Sequence, residues 1–253
     1  MVEVAESSER HREDSEMTSQ ELESAARQVL SSGVAWAANY WPADRVRIRD
    51  DLRIIGRFPG RILEVGSAPY ITTLALALSG RDVVGVDIDP VAVPHDIQVH
   101  RCDIEQEPLP VDDSSFDVVV LSDVFEHLRL DPIFTLGELR RVLRPDGVLL
   151  LTTPNLRSLR GILRLTLLGK AWAVGAYPIN EYRKLSSHGF MGHVREYTAY
   201  EVRGMLEGCG FSVDRVIWRN KPGFWLWRAI ELLVPPTRPY MTLIARPSPI
   251  TAS

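Results

Sequence analysis

Polar and apolar positions change their rhythm near residue 60. Residues 1–18 (MVEVAESSERHREDSEMT) are charged and poor in large apolar groups, so disorder is expected there. A helix can start near Thr18 or Ser19, with Glu21 and Glu23 in its first turn. A second helix is predicted from Trp41 to Ile55, with Pro42 suited to its first turn. From Arg61 onward, short apolar runs alternate with helical stretches. Strands are predicted at Ile62–Val65, Val83–Val86, Ile97–His100, Asp117–Leu121 and Val148–Thr152. Helices are predicted near Ile71–Leu78 and Ile133–Leu143. The runs VVVL and VLLL lack polar alternation, as strands buried on both faces do. This βαβ rhythm predicts a doubly wound, mostly parallel α/β sheet with helices on both faces. After a segment of mixed character, Asn155 to Glu196, the pattern predicts a helix at Ala199–Cys209. Strands at Phe211–Trp218 and Met241–Ala245 then close a single domain spanning residues 19–253. No internal repeat interrupts it.

Composition narrows the compartment more than the chemistry. The chain is 45% hydrophobic and 25% charged, enough to bury a core. Cys102 and Cys209 lie far apart, which argues against a disulfide framework or zinc site and for a reducing compartment. No basic-then-apolar leader and no bilayer-length apolar run is visible, so a soluble, cytoplasmic protein is expected. The net charge of −4 conceals an asymmetry. Residues 155–253 hold fourteen Lys/Arg against six Asp/Glu, while the rest of the chain is strongly acidic.

The chemistry concentrates at the carboxyl ends of the predicted strands, where open α/β sheets bind ligands. In RILEVGSAPYITTLALALSGRDVVGVDIDP, Gly66 follows the first strand and lets the backbone approach a ligand closely. Asp87 closes the second strand twenty-one residues later, where a carboxylate can accept hydrogen bonds from both hydroxyls of a ribose. Asp103 follows the third strand, and Ser122 with Asp123 follows the fourth. Asp87 can alternatively be read as a turn cap, and Asp103 as an ordinary loop residue.

These stretches together resemble the class I S-adenosylmethionine (SAM)-dependent methyltransferases of the type 11 and type 23 small-molecule groups. The likeness runs from Arg61 to Phe211 through LEVGSAPY, VVGVDIDP, RCDIEQEPLPVDDSSFDVVVLSDVFEHL, LRRVLRPDGVLLLTTPN and GHVREYTAYEVRGMLEGCGF. It implies a seven-stranded Rossmann-like fold, a helical cap inserted after the fifth strand over residues 155–196, and SAM as cofactor. By the same resemblance Glu64 and Gly66, with Ser67 and Ala68 beside them, line the methionine part of SAM. Asp87 holds the ribose and Ile88 packs on the adenine. Asp103 meets the adenine amine, Ile104 covers the other face of the ring, and Ser122 and Asp123 complete the rim. The chain departs from the family's three alternating glycines, keeping Gly66 but carrying Ala68 and Tyr70 at the other two positions. Tyr70 either narrows the methionine pocket or points away from it.

Methyl transfer from a sulfonium is an in-line displacement by an acceptor atom, and a hydroxyl acceptor also calls for a general base. Candidate bases are His127 in DVFEHL and His188 or His193 in SSHGFMGHVREY. The family often carries Glu-His at the first of these positions, where a helix-packing histidine is the competing reading. Neither grouping has the spacing and acidic partner of a metal site, so no metal is expected. Arg157, Arg160, Arg164, Lys170, Arg183, Lys184 and Arg195 stand against Glu181 alone between Asn155 and Arg195. They suit an anionic small-molecule or glycan acceptor, or simply a solvated basic face. In KPGFWLWRAIELLVPPTRPY, residues 221–238, aromatic and aliphatic groups sit beside Lys221, Arg228 and Arg238. That stretch reads either as a helix docked before the last strand or as peripheral membrane contact.

Three rival functions follow. A nicotinamide-dependent oxidoreductase suits the strand-turn-acid spacing but lacks G-x-G-x-x-G. A nucleic-acid methyltransferase is disfavoured by LSDV at the fourth strand end and by overall acidity, and no nucleic-acid partner is expected. A SAM-binding relative with weakened catalysis draws only on the altered glycine loop. The reading favoured is O-methyl transfer to a small-molecule, sugar or lipid-linked saccharide acceptor.

Overall fold

The computed structural model describes residues 19–34, 37–170, 179, 183, 192–220 and 225–249. The expected disorder of residues 1–18, together with Glu181, Lys184 and His188, lies outside the described residues. The chain forms two compact units, Met1–Arg101 and Cys102–Ser253.

The first unit opens with helix α1, residues 19–31. Its buried Leu22, Ala25, Ala26 and Val29 follow the i, i+3, i+4, i+7 spacing of one helical face. Helix α2 covers Ala37–Ile55, beginning a turn earlier than the pattern predicts. Pro42 therefore sits inside the helix and not in its first turn, forgoing an intrahelical hydrogen bond. Buried Ile48, Leu52 and Ile55 anchor the helix despite that loss. There follow β1 (Ile62–Val65), α3 (Ile71–Leu78), β2 (Val83–Asp87) and β3 (Gln98–Arg101). β1 and α3 match their predicted bounds. β1 pairs in parallel with β2, and β2 with β3. All four β1 residues are buried, whereas β3 is exposed or half-buried throughout, as its sequence QVHR suits.

The second unit contains β4 (Phe116–Ser122), a 3-10 turn at Phe125–His127, α4 (Pro132–Val142) and β5 (Leu143–Pro154). It continues with α5 (Leu159–Leu168), α6 (Ala199–Gly208), β6 (Phe211–Arg219), α7 (Trp225–Leu233) and β7 (Tyr240–Pro247). The strand order is β3-β2-β1-β4-β5-β7-β6. β4 and β5 are parallel, while β7 runs antiparallel to both β5 and β6.

Two features depart from the sequence pattern. β5 starts at Leu143 and not at Val148, because Leu143 pairs with Phe116 before an Arg-Pro-Asp-Gly bulge and Val148 pairs with Val118 after it. Helix α5 forms in the segment whose residue pattern marks no definite element and for which the family resemblance implies a helical cap. Its signals are local: the Ser158 hydroxyl accepts from the Gly161 amide at 3.1 Å, and Gly169 closes the helix in the left-handed region. Helix α7 forms before β7, in line with the helical reading of residues 221–238. No helix among the described residues is long and apolar enough to cross a membrane.

Candidate active site

In the first unit the loop between β1 and α3 is clipped onto the end of β2. The amides of Gly66 and Ser67 both donate to the Val86 carbonyl, at 2.8 and 3.1 Å. Gly66 carries a φ of +73°, the conformation a side chain disfavours, so the turn away from β1 suits glycine. A turn closed by the Tyr70 amide on the Ser67 carbonyl, 2.7 Å, then leads into α3 through a cis Ala68–Pro69 bond. Gly85 on β2 makes room for that loop, since a Cβ there would lie 2.8 Å from Ser67 Oγ.

Asp87 ends β2 facing this loop. Its Oδ2 accepts from the Ala68 amide at 2.9 Å. Burial raises its pKa above the usual aspartate value, against the amides of Ala68, Asp89 and Ile88, which favour the ionised form. Hydroxyl donors from a ligand would add to that favourable side. Ile88 beside it is half-buried.

Tyr70 follows in the same loop. It has a φ of +71° and is fully buried, so it keeps the left-handed backbone where the family places glycine. Holding a non-glycine residue there costs about 1–3 kcal/mol, which its buried ring offsets. Its hydroxyl lies by the Val91 backbone and the carboxylates of Asp87 and Asp89. Burial and those charges push its pKa up to about 12. The buried Ser67 Oγ nearby has no hydrogen-bond partner among the described residues. The buried Ser67 hydroxyl without a partner, a strand-end carboxylate and a bare Gly66 backbone fit a polar nucleoside ligand.

Glu64 is less open than the sequence suggests. Its carboxylate accepts a short hydrogen bond from the Thr73 hydroxyl on α3 and is 5% exposed. Burial pushes its pKa up to about 7, opposed by the Thr73 bond and aided by the Asp51 carboxylate. A carboxyl held at about 7 in the fold and near 4.5 when unfolded favours the folded state at low pH. That contribution is lost as pH rises from 4.5 to 7 and is constant above. The stability difference between wild type and Glu64→Gln, read by urea unfolding, should therefore shift by roughly 3 kcal/mol across this window. A pH-independent difference would refute the raised pKa.

In the second unit Asp103 is committed largely to its own turn. Its carboxylate accepts from the Glu105 amide at 3.2 Å and the Gln106 side chain at 2.6 Å. Ile104 follows, half-buried, with its carbonyl accepting from the Thr135 hydroxyl at 3.0 Å. Ser122 ends β4, and Asp123 turns the chain at φ +54°, its amide bonded to the Thr152 carbonyl at 2.9 Å. The 3-10 turn that follows delivers Glu126 and His127.

Glu126 is the functional candidate that sequence reasoning missed. It is fully buried, and one carboxylate oxygen accepts from the Thr153 hydroxyl at 3.0 Å. The other lies 3.8 Å from His193 Nε2. The Glu126 carbonyl accepts from the Val194 amide at 2.8 Å, which ties the segment after His193 to this turn. The rings of His127 and His193 meet edge to face, 4.7 Å between centroids. The structure thus brings together two of the three predicted histidines, 66 residues apart in sequence. Donor atoms of Glu126, His127 and His193 all lie within 4.8 Å of one another, a grouping able to hold a cation. The expectation of no metal rested on histidine spacing without an acidic partner, and Glu126 supplies that partner.

Arg160, read as either an acceptor contact or part of a solvated face, is paired within the protein. Its Nε donates to Glu231 Oε1 at 3.0 Å, with Glu231 fully buried and Arg160 10% exposed.

The sequence matches a methyltransferase domain family over residues 40–216. A Mycolicibacterium smegmatis protein named as a probable S-adenosylmethionine-dependent methyltransferase is 34% identical over 168 residues, covering 64% of this chain and 56% of that protein. A ubiquinone biosynthesis O-methyltransferase of Cereibacter sphaeroides is 30% identical over 180 residues, 66% of each chain. The chain thus spans about half to two thirds of the length of these relatives. The fold is shared with a SAM-dependent methyltransferase from Archaeoglobus fulgidus, with a TM-score of 0.55 at 18% identity over 80% of this chain and 93% of that one. With a family match across well over half its length, the chain belongs to the class I SAM-dependent methyltransferases.

Proposed function

We propose that the protein transfers the methyl group of SAM to a hydroxyl of a small-molecule acceptor, with a sugar or lipid-linked saccharide as the acceptor class. The observation that carries the oxygen acceptor is the His127–His193 pair braced by buried Glu126. An alcohol must lose its proton as it attacks, and an imidazole 3.8 Å from a buried carboxylate is suited to receive it. The name of the Cereibacter relative, an O-methyltransferase, supports the same choice. For the donor, Asp87 would hold the ribose, Gly66, Ser67 and Ala68 would border the methionine portion, and Glu64 would shape the loop through α3. Ile88, Asp103, Ile104, Ser122 and Asp123 keep the donor-contacting roles that the family resemblance implies. When bound, SAM supplies an activated methyl, and the chain's residues supply alignment worth roughly 7–11 kcal/mol. Residues 155–196 would form the acceptor cap of a single domain.

Radiolabelled SAM incubated with a host extract, followed by chromatography of the labelled fraction, identifies the acceptor. With that acceptor in hand, the double variant His127→Asn, His193→Asn is expected to lose at least about 10²-fold in kcat with donor affinity retained. An undiminished kcat excludes imidazole as the base. The cation grouping favours a second reading, and a chelator separates the two. Activity that survives chelation supports the base, while loss restored by a divalent cation assigns the cluster to metal binding.

A further inference from the structure

Helices α5 and α7 carry apolar surface that packing among the described residues does not cover. On α5, Ile162, Leu165 and Leu168 lie three residues apart along one face and are exposed, Leu168 at 64%. On α7 Ile230 and Leu233 share a face and are exposed, Leu233 at 83%, and Val234 just beyond the helix is exposed beside them. The buried pair Arg160–Glu231 fastens one helix to the other. Arg238, just beyond α7, donates to the Glu231 carbonyl at 2.9 Å and the Trp218 carbonyl at 2.9 Å, which fixes the end of α7 against β6.

The charge along α5 and its flanks has one sign. From Asn155 to Ile179 the sequence carries Arg157, Arg160, Arg164 and Lys170 and no acidic residue. Arg157 and Lys170 are exposed at either end of α5. Isolated exposed leucines are ordinary, but rows of them on two linked helices, with exposed Arg157 and Lys170 at the ends of one, are the pattern of an interfacial helix pair. A second copy of the chain would set these cations against themselves, whereas an anionic bilayer answers both the charge and the apolar face.

We propose that α5 and α7 seat the protein on the surface of an anionic lipid bilayer, with their exposed leucines and isoleucines entering the headgroup boundary. The proposal concerns binding alone and stands apart from the methyl acceptor. Flotation of the full chain with phosphatidylglycerol-containing vesicles, compared with pure phosphatidylcholine vesicles, tests it. Partitioning onto anionic vesicles should be at least about tenfold stronger and should weaken at high salt. Leu165→Glu with Leu168→Glu should reduce it by about tenfold or more. Arg157→Glu with Lys170→Glu should do the same, and SAM affinity measured in parallel shows that each variant is folded. No flotation by wild type overturns the proposal, as does equal flotation by the leucine variant. Retention of the wild type as a dimer that the leucine substitutions dissolve, without flotation, assigns the surface to a second copy instead.

Discussion

Asp87→Ala is expected to weaken SAM binding by about 10²–10⁴-fold, read by titration calorimetry. Two ribose hydroxyls donating to one carboxylate make charge-assisted hydrogen bonds worth about 1.5–3 kcal/mol each, which sets that range. The carboxylate has a second task, because it holds the Ala68 amide at 2.9 Å and so shapes the loop behind Gly66. Truncation removes both, while Asp87→Asn keeps an acceptor for Ala68 and loses the charge. The asparagine variant should therefore bind with intermediate affinity and unfold at the wild-type temperature when no ligand is present. If both variants bind SAM and its demethylated product as wild type does, Asp87 does not hold the nucleoside and the proposed donor site is wrong. The pKa of Asp87, raised by burial, adds a sign to the same experiment. A ligand that donates to the ionised carboxylate binds less well once that carboxylate is protonated, so affinity should fall on acidification and more steeply in wild type than in Asp87→Asn.

Strand-end chemistry was legible in the sequence because it depends on short-range order. An apolar run, a glycine and an acid after the next run already place Gly66 and Asp87 at two neighbouring strand ends, and the register of β1 on β2 agrees. Strand β1 and helix α3 keep their predicted bounds for the same reason: each is a compact apolar block with breakers on both sides. The Arg-Pro-Asp-Gly stretch misled the pattern, since it reads as a turn before a strand while Leu143 ahead of it is already paired. Tyr70 illustrates a backbone constraint invisible in composition, a left-handed position held without glycine. Glu126 was hidden for a different reason. Its meaning lies in Thr153 and His193, neither near it in the chain, and a glutamate in DVFEHL looks like a solvent-facing residue until both partners are in place. Helix α5 was obscured because its exposed leucines blur the division between a core face and a polar face.

Arg160 shows how a sequence-level role can be displaced by a structural one, and the consequence is measurable. As one of a run of cations it suggested either an acceptor contact, for which charge reversal would raise an acceptor Michaelis constant, or a solvated basic face. Its guanidinium instead spans α5 to α7, with distances to the Glu231 carboxylate of 3.0 and 3.4 Å. Removing one partner of a buried pair strands the other charge away from water, which costs about 3–5 kcal/mol. Arg160→Met is therefore expected to lower the urea midpoint with an unchanged slope. Glu231 would then be the uncompensated group, so Arg160→Met combined with Glu231→Leu should recover much of the loss, because apolar groups of similar volume need no partner. Arg157→Met, a change at an exposed cation on the same segment, should leave the midpoint within about 0.5 kcal/mol of wild type. An Arg160→Met protein as stable as wild type would mean that the pair does not join α5 to α7, and the acceptor-binding role of Arg160 would then return as the better account of the residue.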